Sequence, residues 1–164
     1  LDAIELVADR GWSQSILSMW WEDELLQVVT QHGLLERMSL VQGNRDDPGG
    51  EKAKHLVLHL ASLELDPNAV VMIGDSLDDA AASGVVGTAC VLYDGGSHHL
   101  DALEDVGVPV TGSLVDAEFG GDGVGGLGFE VGASVEGGEE VGDGFGVASC
   151  GGIPFEQSGG AEVG

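Results

Sequence analysis

An unbroken apolar run over residues 69–73 places the strongest constraint on how this 164-residue chain folds. The run is mostly β-branched, does not alternate with polar residues and ends at Gly74, which predicts a strand buried on both faces of a parallel sheet. Asp75 and Asp79 follow, four residues apart across the start of a predicted helix. Carboxylates at the carboxyl end of a buried strand lie where open α/β sheets bind their ligands.

The sequence before residue 118 alternates apolar strands with amphipathic helices. This alternation predicts an α/β fold built on a parallel, doubly wound sheet. The predicted helices cover residues 1–10, 22–32, 51–63, 77–83 and 98–106, and the predicted strands cover residues 14–18, 38–42, 69–73 and 88–92. Residues 46–50, rich in Asp and Gly, are predicted to form a loop.

Residues 118–164 have a different character, with 17 glycines, 9 acidic residues and neither Lys nor Arg. Such a composition buries too little apolar surface to offset the entropy of ordering the backbone, so we expect this tail to be disordered. Two alternatives remain open. The segment 120–125 resembles the start of a calcium-binding glycine repeat, although it does not recur. The tail could also be an out-of-frame translation, because Gly, Val, Glu and Asp share codons that begin with G.

The net charge of −24 at pH 7 restricts the partners of the chain. No Lys or Arg follows Lys54, which argues against binding to nucleic acid or to anionic membranes. No apolar run approaches the ~20 residues of a membrane span, and the start at Leu1 lacks the basic region of a signal peptide. Cys90 and Cys150 have no metal-ligand spacing, so we expect reduced thiols and a cytoplasmic protein. The oligomeric state is left open.

Four short segments carry residues typical of one family, in the order in which that family has them. They are residues 15–20, 51–56, 74–79 and 90–98. As an ordered set they resemble the C-terminal part of the core domain of a haloacid-dehalogenase (HAD) superfamily hydrolase similar to phosphoglycolate phosphatases. The resemblance covers residues 1 to about 117. It implies a Rossmann-like fold and a Mg²⁺-dependent phosphatase that hydrolyses a small phosphorylated metabolite through an aspartyl-phosphate.

The resemblance also implies roles for four side chains. Asp75 would be a direct Mg²⁺ ligand, and Asp79 would hold a metal-bound water or orient Lys52. Ser18 would donate to a phosphoryl oxygen, and Lys52, rather than Lys54, would neutralise the phosphate. Mg²⁺ prefers hard oxygen ligands, and two close carboxylates repel each other without a cation, which agrees with this role. The alternative is that both acids only stabilise a helix N-terminus.

The nucleophile of the family is absent from this sequence. The resemblance implies an aspartate in a D-x-D-x-T motif after a central strand, and the sequence contains no such motif. That strand would lie between the strands that end at Ser18 and Gly74. We therefore expect these two strands either to pair with each other or to keep unpaired inner edges, and the chain alone to be marginally stable and inactive. A truncated or pseudoenzyme domain that binds Mg²⁺ and phosphate is the alternative.

Other residues allow further interpretations. Residues 74–77 spell the Gly-Asp-Ser-Leu signature of an esterase family, with Ser76 as nucleophile, but at the midpoint of the chain and without an Asp-x-x-His. His55 and His59 lie four residues apart on one predicted helix and could share a metal, although no third ligand has suitable spacing. His98 and His99 follow two glycines and could face the substrate, but solvated side chains are the simpler expectation.

Overall fold

The computed structural model describes residues 2–45, 50–96, 100–114 and 145–150, the last of these as backbone only. The described residues form five α-helices and six strands. The helices are α1 (Asp2–Asp9), α2 (Glu22–Gln31), α3 (Lys52–Leu63), α4 (Leu77–Val86) and α5 (Leu100–Glu104). The strands are β1 (Ser13–Trp21), β2 (Val41–Asn44), β3 (Val70–Gly74), β4 (Ala89–Tyr93), β5 (Val110–Thr111) and β6 (Phe145–Cys150).

The six strands form one sheet in the order β2-β1-β6-β3-β4-β5. Strand β1 pairs in parallel with β2, and β3–β4 and β4–β5 are parallel pairs as well. Strand β6 is antiparallel to both of its neighbours, so β1 to β5 all run in one direction. The carboxyl ends of β1 and β3 therefore lie at the same edge of the sheet.

Side-chain alternation along the strands distributes the helices over both faces of the sheet. On β1, Ile16 packs in a cluster with residues of α1 and α2, whereas Leu17 packs with Leu56 and Leu60 of α3. Since successive strand residues point to opposite faces, α1 and α2 cover one face and α3 the other. Met72 of β3 joins the α3 cluster in the same way. This arrangement confirms the predicted α/β fold with a parallel sheet covered on both sides.

Strand β6 departs from the prediction for the glycine-rich tail and for the inner edges of β1 and β3. Rather than closing on each other or staying unpaired, these two strands both pair with residues 145–150. Backbone donors and acceptors on a strand edge can be satisfied by any extended segment, in either direction. The prediction of disorder used the average composition of residues 118–164. Within that range, residues 144–155 carry no charged side chain, and they include β6. The rest of the tail, including residues 120–125, lies outside the described residues.

Most predicted elements are present, with shifted ends. Helix α4 continues to Val86, three residues beyond the predicted end at Ser83, and stops before Gly87, whose φ of 89° suits glycine. Strand β2 begins three residues later than predicted, at Val41, where its pairing with Ile16 of β1 starts. The loop residues 46–49 and the pair His98 and His99 lie outside the described residues. No helix in the described ranges is long and apolar enough to span a membrane.

Candidate functional site

The candidate site begins at the turn between β3 and α4. Strand β3 is buried along its whole length and ends at Gly74, and Ser76 caps α4. The Ser76 hydroxyl accepts from the backbone N–H of Asp79 at 3.3 Å, and the Asp79 carboxylate accepts from the backbone N–H of Ser76 at 3.1 Å. This reciprocal capping box satisfies free amides of the first helical turn. It also fixes the Asp79 side chain over the carboxyl end of β3.

Lys52 is the partner of Asp79. Its Nζ forms an ion pair with Asp79 Oδ1, and the lysine and aspartate side chains are 4% and 0% exposed. The other carboxylate oxygen, Oδ2, accepts from the Ser76 hydroxyl at 2.6 Å. A buried charge pair of this kind is tolerated only where hydrogen bonds satisfy the remaining oxygens, and the capping box supplies them. Asp79 is therefore ion-paired with Lys52, and its two predicted roles, holding a metal-bound water or orienting Lys52, stay predictions.

Lys54, the predicted competitor of Lys52, lies elsewhere. Its Nζ is 3.1 Å from a carboxylate oxygen of Glu51, and both side chains are 74% exposed. Helix α3 turns by about 100° per residue, so residues two apart point to different sides. Only Lys52 of the two lysines faces the carboxyl edge of the sheet.

Asp75 is buried and lies at the same level as Ser18. Both Leu17 and Gly74 are opposite Gly146 of β6, so the residues that follow them, Ser18 and Asp75, face the edge together. With one strand between them, their backbones are about 10 Å apart. The Ser18 hydroxyl is fully buried and accepts from the backbone N–H of Trp20 at 3.1 Å. Beyond Leu17 the pairing of β1 with β2 becomes irregular, whereas Ser18 still pairs with Phe145 of β6.

Two glycines allow the close approach of backbone to these carboxylates. A Cβ at position 74 would overlap the carboxyl group of Asp79. A Cβ at position 96, in the loop after β4, would overlap the side chain of Asp75. The sequence analysis missed the role of Gly96, although the Gly95–Gly96 pair directly after a strand was a usable signal. Asn44 is also buried, at the carboxyl end of β2.

The donor set suits a hard cation with few protein ligands. The described residues contain no cluster of three or more His, Cys, Asp or Glu that could hold a metal ion. Mg²⁺ needs only one or two carboxylates, because waters and substrate oxygens complete its shell. Asp75, buried at the strand end and contacted by the Gly96 loop, fits that requirement. Asp79 has its oxygens committed to Lys52 and Ser76.

The other nucleophile and metal-ligand candidates have different surroundings. Ser76 is the cap of α4 and donates its hydroxyl to Asp79, so it is engaged in structure rather than poised for attack. Burial raises the pKa of the Cys90 thiol to about 11, which keeps it protonated at neutral pH. His59 is buried between Gln42 and Ser15, so its ring nitrogens do not form a metal site with His55.

Comparisons with known proteins agree with this architecture. Residues 52–117 match the model of the family described as HAD-hydrolase-like. The chain is similar to the crystal structure of a HAD-superfamily hydrolase from Ehrlichia chaffeensis, with 15% sequence identity and a TM-score of 0.58. That similarity covers 70% of this chain and 52% of the other, so the chain spans about half the length of that protein. No curated protein matches the chain.

Proposed function

We propose that the chain carries a hydrolase domain of the HAD superfamily and forms the phosphate- and Mg²⁺-binding part of a phosphatase for small phosphomonoesters. The observation that carries the proposal is the buried Lys52–Asp79 pair at the sheet edge that also holds Asp75 and Ser18. Open α/β sheets bind their ligands at the carboxyl ends of the strands, and lysine binds phosphate as a point charge.

Each side chain has a distinct part in binding a phosphate group. Asp75 offers a carboxylate oxygen to Mg²⁺, which when bound would neutralise charge on the phosphate. Lys52, held by Asp79, presents a fixed positive charge to the phosphate oxygens. The Ser18 hydroxyl would donate its proton to a phosphoryl oxygen, since in its hydrogen bond with the backbone N–H of Trp20 it is the acceptor.

We propose that turnover requires a group that this sequence does not contain. The family attacks phosphorus with an aspartate from a D-x-D-x-T motif, which is absent from the 164 residues. The position between β1 and β3, where the family has the strand with this aspartate, holds β6, with the sequence Phe-Gly-Val-Ala-Ser-Cys. None of these residues has a carboxylate. We propose that these 164 residues bind Mg²⁺ and phosphate without hydrolysing phosphomonoesters, and that the nucleophile belongs to another segment.

Titration calorimetry of the full chain with MgCl₂, and then with inorganic phosphate at saturating Mg²⁺, tests the binding part of the proposal. Asp75→Asn removes the proposed ligand and abolishes Mg²⁺ binding. Asp78→Asn is the matched control, because Asp78 is an exposed acid in the same helical turn and its loss leaves binding within about twofold. Equal Mg²⁺ affinity in Asp75→Asn and the native chain would contradict the assignment.

A p-nitrophenyl phosphate assay tests the absence of turnover. We expect no Mg²⁺-dependent release of p-nitrophenol from the native chain above that of Asp75→Asn. A Mg²⁺-dependent rate in the native chain that Asp75→Asn loses would show that a nucleophile is present after all. The binding-only domain is the second candidate function, favoured by the carboxylate-free sequence of β6. It is supported if the chain stays inactive when the upstream coding sequence is joined to it.

A further inference from the structure

His59 lies at the centre of a buried polar network that the proposed phosphate site does not use. Its side chain is fully buried, with Nδ1 2.9 Å from Gln42 Oε1 and Nε2 2.8 Å from Ser15 Oγ. A carboxamide oxygen can only accept, so Nδ1 carries the proton and donates to Gln42. Nε2 is then free to accept from the Ser15 hydroxyl. The neutral ring thus has both nitrogens satisfied, and it connects α3 to β1 and β2.

The surroundings of His59 are otherwise apolar. Leu56 and Leu60, its neighbours on the buried face of α3, pack against Leu17 and Met72. An apolar side chain at position 59 would bury equally well and would not need polar partners on two strands. Apolar contacts allow a helix to slide or rotate slightly over a sheet, whereas directional hydrogen bonds specify one position. The network therefore restricts how α3 lies on the sheet.

Lys52 depends on the same helix position. It is the first residue of α3 and lies seven residues before His59, which is about two turns and 10 Å along one face. The Lys52 ammonium contacts Asp79, which follows β3. His59 contacts Ser15 of β1 and Gln42 of β2, which lie on the opposite side of β6 from β3. A displacement of α3 by the rise of one residue, about 1.5 Å, would shift the backbone that carries the Lys52 ammonium by about half a hydrogen-bond length relative to Asp79.

We propose that His59 is a positioning residue for Lys52: the Ser15–His59–Gln42 network holds α3 at the rotation and depth that place the Lys52 ammonium on Asp79. The use of Lys52 in phosphate binding rests on the proposed function. The positioning itself does not, and it is measurable without metal or phosphate.

Competitive acetylation of the folded full chain by acetic anhydride, read by mass spectrometry, measures the position of Lys52. Lys52 and Lys54 are the lysines of the sequence, and the exposed Lys54 serves as internal reference. In the native chain we expect Lys52 to react at least about 100-fold more slowly than Lys54. Ser15→Ala and Gln42→Ala each remove one hydrogen bond of the ring and raise the Lys52/Lys54 ratio about tenfold, with a cooperative unfolding transition retained.

The control is Leu60→Ala, which weakens the packing of α3 beside His59 and leaves the network intact. It keeps the ratio within about twofold of the native value although it lowers stability more than either polar variant. His59→Phe fills the ring volume without hydrogen bonds and gives the largest ratio, if it folds; if it does not, Ser15→Ala and Gln42→Ala decide. A native ratio in these two variants, or an equal rise in Leu60→Ala, overturns the proposal. A raised ratio in a chain that fails to bind phosphate refutes the proposed function alone.

Discussion

Strand β6 and helix α3 join the same two parts of the sheet, β1–β2 and β3–β5, by different means. Strand β6 uses backbone hydrogen bonds to β1 on one side and β3 on the other. Helix α3 uses side chains: His59 binds residues of β1 and β2, and Lys52 binds Asp79 at the start of α4. Backbone ladders form with many sequences, whereas a buried ion pair and a buried imidazole need particular residues at particular positions.

The largest effect is expected from breaking the α3 connection to α4. Lys52→Met keeps the length of the side chain but leaves the Asp79 carboxylate buried without its cation. Removing one partner of a buried pair costs about 3–5 kcal/mol, which urea unfolding will measure. Lys54→Met is the matched control: its pair with Glu51 is exposed, so we expect a change within about 0.5 kcal/mol. A similar small loss in both variants would mean that α3 is not held by its ion pair.

Protonation of His59 acts on the other end of the α3 connection. Burial lowers the pKa of His59 in the folded chain to about 4, from an ordinary 6.5. Between pH 4 and pH 6.5 the unfolded chain binds more protons at this histidine than the folded chain does. The stability contributed by neutral His59 is therefore fully present above about pH 6.5 and is lost as the pH falls towards 4. The loss reaches about 3 kcal/mol.

Urea unfolding at pH 7 and at pH 4.5 measures this contribution as the difference between the native chain and His59→Gln. The subtraction is needed because protonation of the many acidic residues also changes stability over this range. Parallel pH dependence in the two proteins would show that His59 does not become harder to protonate on folding.

A disulfide tests the backbone connection made by β6. The register places Ser13 of β1 opposite Cys150, and directly opposed antiparallel residues have Cα atoms about 4.5–5.5 Å apart, within the range of disulfides. Ser13→Cys should therefore form an intramolecular bond with Cys150 on oxidation and stabilise the chain by at least about 2 kcal/mol. Mass spectrometry and gel mobility detect the bond. Adding Cys150→Ala abolishes it, and a bond formed only between two chains would place β6 in a neighbouring molecule.

The smallest effect on stability is expected at the turn from β3 to α4, which lies next to both β6 and the Lys52–Asp79 pair. Gly74→Ala inserts a methyl group into the carboxyl group of Asp79 and lowers stability by about 1–3 kcal/mol. Gly84→Ala is the opposite case, since a Cβ there meets no atom and the position lies in the exposed part of α4. It is expected to stabilise the chain by up to about 1 kcal/mol. Thermal unfolding of the two variants gives shifts of opposite sign, and equal shifts would contradict the tight packing at position 74.

The two connections were not equally visible in the sequence. Local patterns predicted the end of β3 at Gly74, the start of α4 at Leu77 and the start of α3 to within one residue, because helix starts and buried runs depend on neighbouring residues. The partners of His59 were not predictable, since Ser15 and Gln42 come from two other strands and their meeting depends on the tertiary fold. Strand β6 was missed for a related reason: its place follows from the vacant edges of β1 and β3, not from its own composition.

The central place of β6 also has a consequence for the order of folding. The ladder that pairs Ser13 with Cys150 joins residues from opposite ends of the chain, and contacts of such long sequence separation slow folding. During synthesis on the ribosome, β1 and β3 are complete well before residues 145–150 leave the exit tunnel. Their inner edges are exposed during that interval, when other strands can pair with them. Yield of soluble chain is therefore expected to depend on how quickly translation passes through the glycine-rich segment.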